Sequence, residues 1–287
     1  MIDGRSRVIV QGITGHQGRF HAQAMRAFGT RVVAGVTPGK GGETVDGVPV
    51  YESVREAASS QGVDVSVVFV PAPWAKDSAL EALEAGVPLV VIVTEGMPVH
   101  DAMTVIQFAR VMNARVIGPN CPGVTVPGAA KVGIMPNGIF REGNTAVVSR
   151  SGTLTYEVVN SLTEAGMGQS ICLGIGGDPV IGTSFVDALG LFEADERTSE
   201  IVLIGEIGGT AEEEAASYIS AKTKKPVVAY IAGRTAPPGR KMGHAGAIIS
   251  QGRGSARSKA EALRAAGVRV AERPSEIARL LTDVRRR

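Results

Sequence analysis

A histidine set between glycines and preceded by two cations is the residue of this chain best equipped for chemistry. It is His244, in Arg240-Lys241-Met242-Gly243-His244-Ala245-Gly246-Ala247, with further glycines at Gly252 and Gly254. The glycines leave the imidazole exposed, with room for a bulky group. A loop histidine is also compatible with no chemistry at all, so its company decides. One apolar run ends in Glu206-Ile207-Gly208-Gly209. A carboxylate there can accept one ring N–H, fix the tautomer and leave the other nitrogen free to attack. A second run leads into Ser149-Arg150-Ser151-Gly152-Thr153, where a helix start would offer N–H donors and a positive dipole end to a phosphate. A third reaches Gly174-Ile175-Gly176-Gly177-Asp178-Pro179, another backbone cradle. Nucleophile, orienting acid and donors for phosphoryl oxygens are what a phosphoimidazole intermediate needs. Metal binding by His244 is not indicated, because no second His or Cys has suitable spacing.

The other constellation lies near the beginning. Gly12-Ile13-Thr14-Gly15-His16-Gln17-Gly18 follows an apolar run and opens a helical stretch. Glycines there let the backbone approach a ligand, and free helix N–H groups favour an anion. The spacing is GxxGxxG rather than the dinucleotide fingerprint, and alone it is compatible with a plain tight turn. The next apolar run continues as Val36-Thr37-Pro38-Gly39-Lys40-Gly41-Gly42. An NAD site would carry an acid near this point. A lysine on a glycine-rich loop suits a phosphorylated ribose instead, as in NADP or the 3′-phosphate of coenzyme A. Further on, Val93-Thr94-Glu95-Gly96 could hydrogen-bond a ligand or cap a helix. Cys121, in Pro119-Asn120-Cys121-Pro122-Gly123, could sit near a thiol ligand or be a small buried thiol.

These residues need a scaffold that brings the ends of apolar runs to one edge. Ten such runs occur: 7–10, 31–36, 65–70, 89–94, 115–118, 145–149, 171–175, 200–206, 227–232 and 268–271. They are short and continuously apolar, as strands covered on both faces are. Between them lie helix-length stretches such as 72–85, 99–112, 153–165 and 211–221. The alternation predicts an α/β fold of two doubly wound, Rossmann-like or flavodoxin-like domains with mainly parallel sheets. The Pro- and Gly-rich segment 118–123, followed by an irregular stretch over 124–144, places the boundary near 122. That gives a coenzyme-binding domain over 1–122 and a second domain over 123–287 carrying the histidine loop. Ligands of such sheets bind beyond the carboxyl ends of the strands, where both constellations fall.

Composition narrows the classes. The 287 residues are 44% hydrophobic and 20% charged, ample for packed cores. A net charge of +2, with 22 Arg and 8 Lys, does not suggest a nucleic-acid binder. The two cysteines, Cys121 and Cys172, indicate neither a disulfide framework nor a zinc site. No secretory signal or membrane-length apolar run is evident. The expectation is a soluble, cytoplasmic protein.

Nine stretches in order also carry a resemblance. They are 12–18, 36–42 (VTPGKGG), 69–73 (FVPAP), 94–96, 118–123 (GPNCPG), 149–157 (SRSGTLTYE), 174–179 (GIGGDP), 205–209 (GEIGG) and 243–247 (GHAGA). The chain resembles the α subunit of succinyl-CoA synthetase (succinate–CoA ligase) over essentially its full length. The resemblance implies that His244 is transiently phosphorylated and that Glu206 steadies its ring. It implies that Thr14, Gly15, His16 and Gln17 contact coenzyme A, with Lys40 at one of its phosphates and Val93, Thr94 and Glu95 lining the same ligand. Tyr156 would help bind the dicarboxylate, and Ser151 and Gly152 would offer phosphate donors. His16 departs from the Ser or other polar residue often found there, which puts a side-chain hydrogen bond at that position in doubt. The implied reaction converts succinyl-CoA and phosphate to succinyl phosphate and coenzyme A. His244 then takes the phosphoryl group, releases succinate and passes the group to ADP or GDP. No GxxxxGK[ST] loop occurs, so the resemblance puts nucleotide and Mg2+ on a β subunit, in an αβ or α2β2 assembly. The alternatives are a malate–CoA ligase or ADP-forming acetyl-CoA synthetase of the same type, an NADP-dependent oxidoreductase, or a coenzyme-A sensor without turnover.

Overall fold

The structure is a computed structural model and describes residues 1–237, 239–249 and 254–285. By packing, the chain forms one unit from Met1–Asn137 with Val180–Gly182, and a second from Gly138–Pro179 with Thr183–Arg287.

The first unit alternates strand and helix as its apolar runs require. It contains β1 (Arg7–Gln11), α1 (His16–Phe28), β2 (Arg31–Val36), β3 (Thr44–Val45), β4 (Val48–Tyr51), α2 (Val54–Gln61), β5 (Val65–Val68), α3 (Ala72–Glu84), β6 (Leu89–Ile92), α4 (Val99–Val111), β7 (Arg115–Ile117), β8 (Gly123–Val126) and β9 (Ala130–Gly133). The sheet order is β3-β4-β2-β1-β5-β6-β7, parallel except for the β3/β4 pair. Its central strands are apolar because helices cover both faces: Val8, Ile9, Val10, Val67, Val68, Val90 and Ile92 are all 0% exposed. Chain order reverses across β1 and β5, so the switch point lies at their carboxyl ends.

The second unit contains β10 (Glu142–Ser149), α5 (Gly152–Glu164), β11 (Gln169–Gly174), α6 (Phe185–Ala194), β12 (Glu200–Glu206), α7 (Ala211–Lys222), β13 (Val227–Ala232), α8 (Ala256–Ala265), β14 (Arg269–Ala271) and α9 (Ile277–Arg285). These strands run parallel in the order β14-β13-β12-β10-β11. Here the reversal falls between β10 and β12.

One feature of the sequence reading is corrected. The stretch 124–144, expected to be irregular, holds the antiparallel hairpin β8/β9 and the start of β10. That hairpin packs with the residues before it, in the unit that runs to Asn137. The reason is local packing on α1. Thr30 at its exit donates to the Lys131 carbonyl at 2.7 Å, and the Gly133 N–H points to Met25 Sδ at 3.4 Å.

Candidate active site

The first site forms at the β1/β5 switch point. β1 gives way to Gly12–Gly15 and then α1, whose N-cap, Gly15, makes no side-chain capping bond. Helix and strand meet closely: a Cβ on Gly18 would lie 2.1 Å from the Gly12 carbonyl oxygen, so only glycine permits this junction. Thr14 Oγ1 bonds Thr37 Oγ1 at 3.2 Å, joining the β1 exit to the β2 exit. Beyond it, the Gly39 and Gly41 N–H groups donate to the Glu52 carboxylate at 2.6 and 2.7 Å, which holds that carboxyl below the usual range. The clasp shapes the loop carrying Lys40, whose exposed ammonium pairs with Glu43 at 3.2 Å.

Beside this turn opens a cleft of about 300 Å³ lined by Gln17, His21, Phe69, Val70, Pro71, Val93, Thr94, Glu95 and Ile134. Four expected contact residues, Gln17, Val93, Thr94 and Glu95, therefore meet in one wall. Thr14, Gly15 and His16 precede Gln17 in the turn and first helical residues, while Lys40 is not part of this lining. Thr94 does not cap a helix; its hydroxyl donates to the Val70 carbonyl at 2.7 Å and ties the β6 exit to the β5 exit. Cys121 is a buried thiol donating to the Ile92 carbonyl at 3.2 Å.

His21 and Phe69 belong to this wall although neither was singled out from sequence for ligand contact. Their rings stack with centroids 5.4 Å apart and planes 9° from parallel. Burial, then the Lys131 charge, pushes the imidazole down to about 4, so His21 presents a neutral ring at physiological pH. Its signal was the one-turn spacing from Gln17, which places both on the same helix face.

The second site forms where β10 and β12 end side by side. Glu206 closes β12, and its Oε2 lies 2.7 Å from His244 Nδ1. The carboxylate is nearly buried, at 8% side-chain exposure, whereas the imidazole retains 28%. The Glu206 hydrogen bond raises the His244 pKa; burial opposes it, the Glu206 and Asp178 charges add to it, and Arg150 works against it. An aliphatic or amide residue at 206 could not supply this field. The second carboxylate oxygen faces Arg150 Nε at 3.5 Å, and the Arg150 guanidinium also donates to the Asp178 carbonyl at 3.3 Å. Arg150 is thus a site residue that sequence reading treated only as part of a turn. Its value depends on a partner 56 positions away, which no local pattern reveals.

Gly177 completes the seat. A Cβ there would sit 2.3 Å from His244 Cγ, so the backbone of the 174–179 loop forms the surface against which the ring rests. Its neighbour Gly246 returns an N–H to the Gly177 carbonyl at 3.2 Å. Ser151 caps α5 by accepting the Leu154 N–H at 3.3 Å, and donates its own N–H to Ser149 Oγ at 3.1 Å. Its side chain is thus occupied in holding the helix start, and the donors open to an anion begin with Gly152. Tyr156 stands one turn further along α5, half-buried. Gly252 lies outside the described residues.

Residues 3–96 match the CoA binding domain family and residues 148–269 the CoA-ligase family. The chain is 54% identical over 284 residues to succinate–CoA ligase (ADP-forming) subunit alpha 2 of Archaeoglobus fulgidus, covering 99% of each. It is 58% identical over 277 residues to the corresponding subunit alpha of Methanothermobacter thermautotrophicus, covering 96% of this chain and 94% of the relative. Among solved structures, ATP citrate lyase of Methanothrix soehngenii in complex with citrate and coenzyme A superposes with a TM-score of 0.90 at 25% identity. That match covers 99% of this chain and half of the lyase chain.

Proposed function

The chain belongs to the succinate–CoA ligase α-subunit family, and from that premise we propose that His244 is its phosphoryl carrier and the cleft beside α1 its coenzyme A site. The observation that carries the proposal is the 2.7 Å contact between His244 Nδ1 and Glu206. A carboxylate partner there favours the ring proton on Nδ1, which supports Nε2 as the atom that attacks phosphorus.

In the direction of nucleotide synthesis, phosphate attacks the thioester carbonyl of succinyl-CoA; the C–S bond breaks and coenzyme A leaves with the proton. Nε2 of neutral His244 then attacks the phosphorus of succinyl phosphate, a P–N bond forms, and the P–O bond to the acyl group breaks to release succinate. The ring gains positive charge as this happens. Glu206, hydrogen-bonded and nearly dry, stabilises that charge when it develops. The Gly152 end of α5, with Ser151 fixing its geometry, supplies N–H donors and the dipole for the phosphoryl oxygens. Tyr156, on the same helix, contributes to the pocket for the succinate carboxylate. The phosphoryl group then passes to ADP on a β subunit, where Mg2+ accompanies the nucleotide. An αβ heterodimer, or its dimer, is the corresponding assembly.

At the other site, Gln17 and the 93–95 segment line coenzyme A. The uncapped start of α1 with Thr14, Gly15 and His16 meets its diphosphate, and Lys40 meets the 3′-phosphate. The cleft fits this ligand: a neutral His21–Phe69 stack offers an apolar face, and the helix N-terminus offers donors. We assign action in the cytoplasm, a compartment suited to two buried cysteines that remain thiols.

Incubation of the reconstituted αβ protein with ATP labelled at the γ-phosphate and Mg2+ tests the carrier. Label stable in base and lost in acid is expected on the wild type and absent from His244→Asp. Label retained by the variant removes His244 from the reaction. Substrate profiling of the pair tests the acid, and a preference for malate over succinate overturns that assignment.

A further inference from the structure

Behind the histidine seat lies an ion pair that the reaction does not use. Glu212 is in the first turn of α7 and Lys259 in the first turn of α8, and both side chains are 0% exposed. Glu212 Oε2 pairs with Lys259 Nζ, while Glu212 Oε1 accepts the backbone N–H of Glu206 at 3.0 Å. Lys259 Nζ donates to the Gly208 carbonyl at 2.7 Å and lies 3.5 Å from Glu213 Oε2. Gly208 is gripped from its other side too. Its N–H donates to the Gly254 carbonyl at 2.8 Å. A Cβ on it would come within 1.9 Å of the carbonyl oxygen of Gly246, two residues beyond His244.

We propose that Lys259 and Glu212 are positioning residues for phosphoryl transfer: the pair pins the turn after β12 so that the Glu206 carboxylate meets His244 Nδ1. The argument starts from cost. Removing two charges from water is expensive, and a buried pair is commonly no better for stability than apolar side chains of the same volume. Apolar side chains would fill the space between α7 and α8. They could not accept the Glu206 N–H or donate to the Gly208 carbonyl, which would then be buried without partners. The pair satisfies both backbone groups at once and sets the turn's register relative to the helices. The sheet makes room for it: a Cβ on Gly205 would lie 2.6 Å from Glu212 Cγ and 2.7 Å from Oε1.

This inference rests on His244 being the phosphoryl carrier, and its test separates the two. The reconstituted αβ protein is labelled from γ-labelled ATP, and the His244 ring is titrated by NMR. The apolar double variant Glu212→Leu with Lys259→Met should stay folded, label more slowly by about tenfold or more, and titrate closer to the ordinary histidine value near 6.5. The groups facing that ring, Glu206, Arg150 and Asp178, are untouched by the change. Glu212→Gln with Lys259→Met returns an acceptor to the Glu206 N–H without charge, and should recover labelling to within about threefold of wild type. Gly205→Ala alters no ionisable group yet displaces the Glu212 carboxylate, and should act in the same direction as the apolar pair. It decides alone if the apolar pair does not fold. Wild-type labelling and titration in a folded apolar pair or in Gly205→Ala overturns the proposal. So does slow labelling with the His244 titration unmoved, which marks a merely structural role. A wild type that takes no label at all rejects the carrier assignment instead.

Discussion

The chemical residues here owe their properties to their immediate neighbours. His244 has its pKa raised from the ordinary 6.5, first by the Glu206 hydrogen bond. Only the neutral ring can attack, so phosphorylation should rise with pH through that raised value and level off above it. Stability runs the other way. The His244 contribution to folding is complete below 6.5 and is lost as pH climbs through the folded-state pKa. Glu206→Gln removes the chief cause of the shift, so the inflection should move to lower pH. The plateau should fall by about 10²-fold, because the developing imidazolium loses its counter-charge. Rapid-quench labelling across pH 5.5–9 measures both; an unmoved inflection would show that another group sets it. Coenzyme A affinity, which the proposal assigns to the other site, should stay as in wild type. Lys40, which the proposal places at the coenzyme's 3′-phosphate, is exposed and pairs with Glu43 at 3.2 Å, a surface pair of small worth that a phosphate can displace. Lys40→Ala should weaken coenzyme A by roughly five- to tenfold, equivalent to about 1 kcal/mol, and leave dephospho-coenzyme A nearly unchanged. Calorimetry with both ligands decides, and equal weakening would move Lys40 away from the 3′-phosphate.

At the scale of elements, strands end where the chemistry begins and glycines set how closely the parts approach. Gly177→Ala tests this most cleanly, since its Cβ would strike His244 Cγ at 2.3 Å and push the ring from Glu206. Labelling should drop by about tenfold or more while thermal unfolding shifts by no more than overpacking explains, about 1–3 kcal/mol. Normal labelling would show that the ring finds Glu206 from another rotamer. The main strands and helices were legible because their signal is repeated along each element. The stretches 72–85, 99–112, 153–165 and 211–221 end within a residue of α3, α4, α5 and α7. β3 and β4 were not, being two and four residues long among Gly, Pro and Asp, with too few residues to show a period. The β8/β9 hairpin did leave a signal. Val124, Thr125 and Val126 are β-branched, and Pro127-Gly128 follows as a turn pair, but the density of Gly and Pro around them reads as loop. The pairing of Glu206, at the end of a run, with His244, in a glycine loop, was legible in the sequence. Arg150 and His21 were not, because an arginine becomes part of a site only when Glu206 and Asp178 close around it, and His21 only when Phe69 stacks on it.

The molecule as a whole repeats one solution twice: a parallel sheet whose chain order reverses, with a ligand-facing edge at the reversal. One edge presents an apolar cleft and an uncapped helix start, the other an imidazole, a carboxylate and a capped helix. The first suits a large, preformed ligand site, and the second a small group held only in transit. Ligand linkage should therefore separate them in the isolated chain. Coenzyme A at about 100 times its dissociation constant adds roughly 2.7 kcal/mol to the folded state, which for a chain of this size raises Tm by roughly 4–5 °C. Gly18→Ala should abolish that rise, because its Cβ would meet the Gly12 carbonyl at 2.1 Å and force α1 away from β1. ATP with Mg2+ should neither raise Tm nor label His244 until the β subunit is added, since on this reading the nucleotide acts from the partner. Differential scanning fluorimetry and acid-labile label, measured on the chain alone and then with its partner, read the two sites independently. Label acquired from ATP by the chain alone would place a nucleotide site within these residues and remove the division of labour between subunits.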